Sequence, residues 1–328
     1  MRGMKRLFTN INLWAAVVIA VLPLFFSDNL FRILSLGAIY AIAALGMSLL
    51  LGYTGQISMG QAAFMGIGAY TTALATTRFN CPSPVAFLAS IVVSSLMAFV
   101  IGKPILKTKG YFLALATLGF GEIFFVFVSQ TDRILRGFYG ISGVPNFSFA
   151  GYELSSYVQM YYLHWGILLA LLVFSQNMVN SRVGRALLAV NTDEVAASAM
   201  GIDISSYKLK VFVLAGAYGG IAGSLMANYV ATAQPHAYTV GLSIFIILCV
   251  VVGGMGNLWG VVLATAILAW LRDEKLSQYM EYSSLMFGVI LILIFIFCPQ
   301  GIASLFRRIV SVAALRPLSR ISLKKARS

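Results

Sequence analysis

SRVGRALLAVNTDEVAASAMGIDISSYKLK, residues 181–210, is the longest polar interval of the chain flanked on both sides by apolar segments of membrane length. Arg182, Arg185, Asp193, Glu194, Asp203, Lys208 and Lys210 surround a small-residue core at 196–201. A continuous helix would place Ala196, Ala199 and Met200 on one face, with Asp193 and Glu194 in its first turn, near the positive helix end. Gly201 stands where a helix stops. A short, small-faced helix between two membrane spans suits docking into another protein's groove. An ordinary solvated connection is the plainer alternative, and the surroundings decide between them.

Those surroundings are apolar. Of 328 residues 60% are hydrophobic and 10% charged, where a soluble domain carries about 25% charged residues. The apolar segments are continuous rather than alternating, which excludes a barrel and gives an all-α polytopic membrane protein. Cys81, Cys249 and Cys298 are scattered, and His164 and His236 stand alone, so neither a disulfide framework nor a metal site is expected. The net charge of +13 follows the membrane rather than nucleic acid.

Ten spans are expected. The first, 12–26, follows Arg2, Lys5 and Arg6 without a small-x-small cleavage site and reads as an uncleaved helix. The others cover 30–51, 57–77, 85–102, 111–129, 161–178, 209–231, 240–253, 258–271 and 284–299. Several fall short of the roughly 20 residues that cross a bilayer straight, so broken helices are expected among them. With a cytoplasmic N-terminus, the inner loops and the tail hold 17 of the 23 basic residues, including Lys103, Lys107, Lys109, Arg182, Arg185, Lys208 and Lys210. The outer side holds Arg32, Arg78, Arg133, Arg136, Arg272 and Lys275. This asymmetry places both termini and the 181–210 interval in the cytoplasm. The longest external loop, about 130–160, is rich in glycine and aromatic residues and long enough to form a structured cap.

Inside the spans, Glu122 in LGFGEIFF is the one acid clearly within an apolar run. A carboxylate at a helix centre costs about 2.5–3.5 kcal/mol on insertion scales, so Glu122 is expected to face protein or water, either as a group of the translocation path or an interface or as a carboxyl hydrogen-bonded near the membrane surface. The chain has no G-x-x-x-x-G-K-[ST] loop, because Gly102-Lys103 continues into Pro104, and no G-x-S-x-G elbow. No catalytic residue is assigned and the chain is not read as an enzyme. The stretch GYTGQISMG, 52–60, followed by Gln61 offers Gly55, Gln56, Ser58, Gly60 and Gln61 as a polar, glycine-rich wall for a water-filled path. Close helix packing is the competing role for its glycines. A weaker echo, GGMGNLWG at 253–260, opens another span on the same expected side.

Four stretches, GYTGQISMGQAAFMGIGAY (52–70), KGYFLALATLGFGEI (109–123), SRVGRALLAVNTDEVAASAMGI (181–202) and VVGGMGNLWGVVLA (251–264), together with Pro299–Ile302, resemble the LivM-type membrane permeases of branched-chain amino acid ABC importers. In such importers the cytoplasmic loop couples to the ATPase through a Glu-Ala-Ala-x-x-x-Gly pattern. Ala196, Ala197 and Gly201 fit it; Val195 holds the Glu position and Glu194 is displaced by one. The resemblance implies a single transmembrane permease domain over 1–304, with a coupling loop at 179–208 and a basic cytoplasmic tail at 305–328. It implies as partners a second, homologous permease forming a heterodimer, two cytoplasmic ABC ATPase subunits that carry ATP and Mg, and a periplasmic substrate-binding protein. This chain is expected to bind no cofactor and no nucleic acid, and to lie as a multi-pass protein in a bacterial inner membrane. Urea or short amides as substrate, or a stand-alone secondary transporter, stay open as alternatives.

Overall fold

A computed structural model describes residues 28–108, 110–149 and 152–272, with Gly288 alone beyond them. The expected first span at 12–26, the run at 284–299 apart from Gly288, the tail at 305–328, and with them Cys298 and Pro299–Ile302, lie outside the described residues.

Among the described residues eleven α-helices run in order: α1 Asp28–Thr54, α2 Gln61–Thr77, α3 Ser83–Ile105, α4 Tyr111–Gln130, the single turn α5 Asp132–Leu135, α6 Tyr157–Val179, α7 Arg182–Thr192, α8 Glu194–Ala199, α9 Ile204–Val230, α10 Val240–Gly253 and α11 Leu258–Trp270. Six segments of the described residues are long and apolar enough to cross a membrane: Leu30–Thr54, Ser83–Ile105, Tyr111–Gln130, Tyr157–Val179, Ile204–Val230 and Pro235–Gly253. The eight expected spans between 30 and 271 each fall on a helix. Three boundaries move. Residues 57–60 are not helical, and α2 begins at Gln61. Helices α6 and α9 start earlier than their apolar runs, because Ser156 with Gln159 and Asp203 cap their N-termini and draw the polar residues that follow into the first turn.

Helix α1 is the centre of the bundle. It is apolar all round, and Ala38, Ile39, Ile42–Leu45 and Met47–Leu49 are wholly or almost wholly buried against α6, α9, α10 and α11. Helix α9 packs on its other side against α2 and α3. The fit is close because the facing residues are small. A Cβ on Gly68 of α2 would meet the carbonyl of Gly220 on α9, and Ala86, Ser90, Ser94, Ala98 and Gly102 make a buried stripe at i, i+4 spacing on α3. Without a hydrophobic force between helices in lipid, such close approach and the hydrogen bonds it permits hold the bundle. Examples are Thr72 Oγ1 donating to Ser224 Oγ (2.6 Å) and the Ser175 Oγ–Tyr218 OH pair (2.7 Å). The outer face of α3 carries exposed Val85, Leu88, Val92, Leu96 and Val100, as a lipid-facing surface requires.

The interval 130–160 folds into small pieces. A 3-10 turn Gly137–Tyr139 follows α5; strand β1 (Ile141–Ser142) pairs antiparallel with β4 (Thr232–Ala233), Ile141 opposite Ala233. Strands β2 (Ser148–Phe149) and β3 (Tyr152–Glu153) form a hairpin. After β4 a 3-10 turn, Pro235–Tyr238, leads into α10.

Candidate functional site

Two of the stretches singled out in the sequence meet, and the segment between α1 and α2 is where they do so. Helix α1 ends at Thr54, and Gly55 turns the chain with φ +65°, a region that only glycine enters without strain. Six residues later Gln61 donates from Nε2 to the carbonyls of Ala43 (3.3 Å) and Ala215 (3.0 Å). Ala43 lies back along α1 by about 16 Å at the helical rise of 1.5 Å per residue. Residues 55–60 therefore run back into the bundle in near-extended form, since six residues reach at most about 20 Å. Helix α2 starts deep inside rather than at the membrane surface.

Non-helical backbone at this depth survives only inside protein or beside water, and this segment and the start of α2 find partners on the surrounding helices. Met59 N–H donates to Thr117 Oγ1 of α4 (2.9 Å), and Gly60 N–H to Ser58 Oγ (3.4 Å). Ala62 N–H, in the first turn of α2, donates to Ser243 Oγ in the first turn of α10 (2.9 Å). The N-termini of α2 and α10 thus converge, one entered from each end of the bundle, and both present their positive ends to the same region. Gln56 is 4% exposed with both amide atoms unpartnered, and Gln61, wholly buried, keeps Oε1 unpartnered. Ser58 and Gly60 are buried as well, whereas Gly55 is exposed. Of the residues expected to wall a path, Gln56, Ser58, Gly60 and Gln61 are thus buried in the bundle.

The 181–210 interval holds two short helices and the start of α9 rather than one continuous helix. Asp193 breaks it: its carboxylate accepts from the N–H groups of Val195 (2.8 Å) and Ala196 (3.1 Å) and caps α8. Ser181 caps α7 in the same way. Helix α8 closes on a Schellman turn, with Ile202 N–H to Ala197 O, Gly201 N–H to Ser198 O, and Gly201 at φ +80°. Ala196, Ala199 and Met200 are exposed together, and Val195 is 80% exposed; Ala197 is buried at 3% beneath them. Arg182 and Arg185 are exposed on α7. Glu194 forms a salt bridge with Lys208 of α9 at 2.6 Å, the only salt bridge among the described residues.

Asn191, near the end of α7, joins the two stretches. Its Oδ1 lies against Gly55, too close to admit a Cβ there, so the polar interval touches the start of the re-entrant segment. Nothing in the sequence pattern singles out Asn191, Thr117 or Ser243; only the fold brings them here. The glycine echo at 253–260 is the turn between α10 and α11, and it packs against the first motif. Tyr53 OH donates to Gly256 O (2.7 Å), and a Cβ on Gly52 would lie 2.6 Å from Gly256 N.

Glu122 stands apart from these contacts. Its neighbour Gly121 is buried over Met59 O and Val240, at the junction of α2 and α10, but Glu122 points away and is exposed. Among the described residues no three His, Cys, Asp or Glu side chains are grouped to hold a metal ion.

Known proteins carry the same arrangement of sequence. The model of the family "branched-chain amino acid transport system / permease component" matches residues 29–295. The chain is 33% identical over 321 residues to the high-affinity branched-chain amino acid transport system permease protein LivM of Escherichia coli, covering 89% of this chain and 74% of that one. It is 32% identical over 319 residues to LivM of Salmonella typhimurium, covering 90% and 75%. The permease protein LivH of the same system in Escherichia coli is 24% identical over 303 residues, covering 85% and 96%. No solved structure matches.

Proposed function

Because this chain belongs to the family of branched-chain amino acid transport permease components, we propose that it is a membrane-spanning subunit of an ATP-driven importer for leucine, isoleucine and valine. In this reading a LivH-like permease is its second, homologous partner. Two ABC ATPase subunits bind ATP and Mg on the cytoplasmic side, and a periplasmic binding protein delivers substrate. The complex sits in the bacterial inner membrane with both termini of this chain in the cytoplasm.

The observation that carries the mechanism is the contact of Asn191 with Gly55. Closure of the ATPase pair presses on the exposed face of α8 formed by Ala196, Ala199 and Met200. Arg182 and Arg185 extend that contact along α7, while Asp193, buried Ala197 and Gly201 fix the shape of α8. The Glu194–Lys208 pair carries the displacement to α9, and Asn191 carries it to the re-entrant segment. There Gly55, Gln56, Ser58, Gly60 and Gln61 line the path when it opens, with Glu122 on its wall. A packed bundle has discrete arrangements rather than a continuum, so a small push selects between an inward-facing and an outward-facing path.

The test is radiolabelled leucine uptake in cells that lack this chain but keep the other components, with and without the gene restored. Restored uptake that collapses on ATP depletion supports the reading. Uptake that survives ATP depletion points to a stand-alone carrier, and uptake of urea or short amides but not leucine reassigns the substrate.

A further inference from the structure

Glu122 has a setting that the path reading alone does not explain. It lies in the middle of α4, and it is the one carboxylate among the described residues inside a spanning helix away from its ends. The rest of the open face of α4 is apolar: Leu115, Ile123, Val126 and Phe127 are exposed with it. Gly119, one turn before it, has nothing within 4 Å of where a Cβ would be, so the face beside the carboxylate is recessed. Among the described residues no salt bridge reaches Glu122. A carboxylate at this depth is not stable against lipid tails, and it requires a cation or water in the position it faces.

We propose that Glu122 is a specificity-determining residue that receives the ammonium group of the amino acid as it passes between this chain and the second permease. This rests on the reading of the chain as an amino acid permease subunit. A zwitterion crossing a low-dielectric region keeps its charges only where the wall supplies opposite ones. Glu122 supplies the negative one.

The experiment uses the whole importer in liposomes, with binding protein, radiolabelled leucine and ATP, comparing wild type with Glu122→Gln and Glu122→Asp. Leucine accumulated per ATP hydrolysed is expected to fall at least tenfold for Glu122→Gln and to recover to more than a third of wild type for Glu122→Asp. Both variants are expected to co-elute with the second permease. Wild-type yield of leucine per ATP from Glu122→Gln overturns the proposal. Loss of co-elution in Glu122→Gln also overturns it, because the carboxylate is then an assembly contact. A wild-type importer that moves no leucine rejects instead the substrate reading beneath it.

Discussion

Glu194 shows how far single residues can be read from sequence. Its displacement by one from the importer pattern leaves its task open in the sequence, and the structure gives it a partner fourteen residues on, Lys208, at 2.6 Å. The Glu194 side chain is 42% exposed, so the pair adds little to stability; exposed pairs contribute roughly 0.2–1 kcal/mol. Its position between α8 and α9 suits transmission of force better than it suits stabilisation. Glu194→Gln and Lys208→Met, singly and together, are expected to move the thermal midpoint of the purified complex by only a few degrees. They are expected to lower leucine uptake per ATP several-fold, with the double variant no worse than the worse single one. Additive losses in uptake would show that the two residues act independently. Gly201 is legible because a stop signal is local: a left-handed turn needs glycine. Asp193, expected within a first turn, is instead the residue before the helix, whose carboxylate accepts the first N–H groups of α8. Asn191 was not legible, since its contact with Gly55 joins positions 136 residues apart that nothing but the fold brings together.

Helices were the most readable level. Apolar runs gave the position of each described span, because in lipid every backbone group is satisfied within its own helix and only length and polarity remain to be read. The re-entrant segment escaped that reading. Residues 57–60 read as the start of the run at 57–77, and buried non-helical chain and buried helix look alike over so few residues. The small-residue stripe of α3 was present in the sequence at strict i, i+4 spacing from Ala86 to Gly102, and it marks the face turned to α9. Replacing its central member tests that face. Ser94 Oγ lies 2.5 Å from where a Cβ on Gly220 would be, so Ser94→Leu overpacks the α3–α9 contact. The expected cost is about 1–3 kcal/mol, read as reduced yield and lower thermal stability of the complex. Leu96→Ala, on the exposed face, is the matched change expected to leave both unaltered. Equal loss from the two variants would reject the assigned orientation of α3.

At the scale of the whole molecule, the polar interval at 181–210 and a re-entrant segment carrying the unpartnered Gln56 amide are tied together inside a bundle otherwise closed by small-residue packing. The Asn191–Gly55 contact at one end and the Ala62–Ser243 bond between two helix N-termini at depth make the segment at 55–60 the part whose movement opens or closes a path. The measurement that tests this most directly is thiol labelling of Gln56→Cys in the assembled importer, with Cys81 and Cys249 replaced by serine and Cys298 by alanine. A membrane-impermeant reagent is applied from each side in turn, with the ATPase nucleotide-free and with it trapped on ATP. The account predicts labelling from the cytoplasmic side in the nucleotide-free state, labelling from the opposite side in the trapped state, and protection by leucine. Labelling that is the same in both states, or absent from both sides in both states, would contradict it.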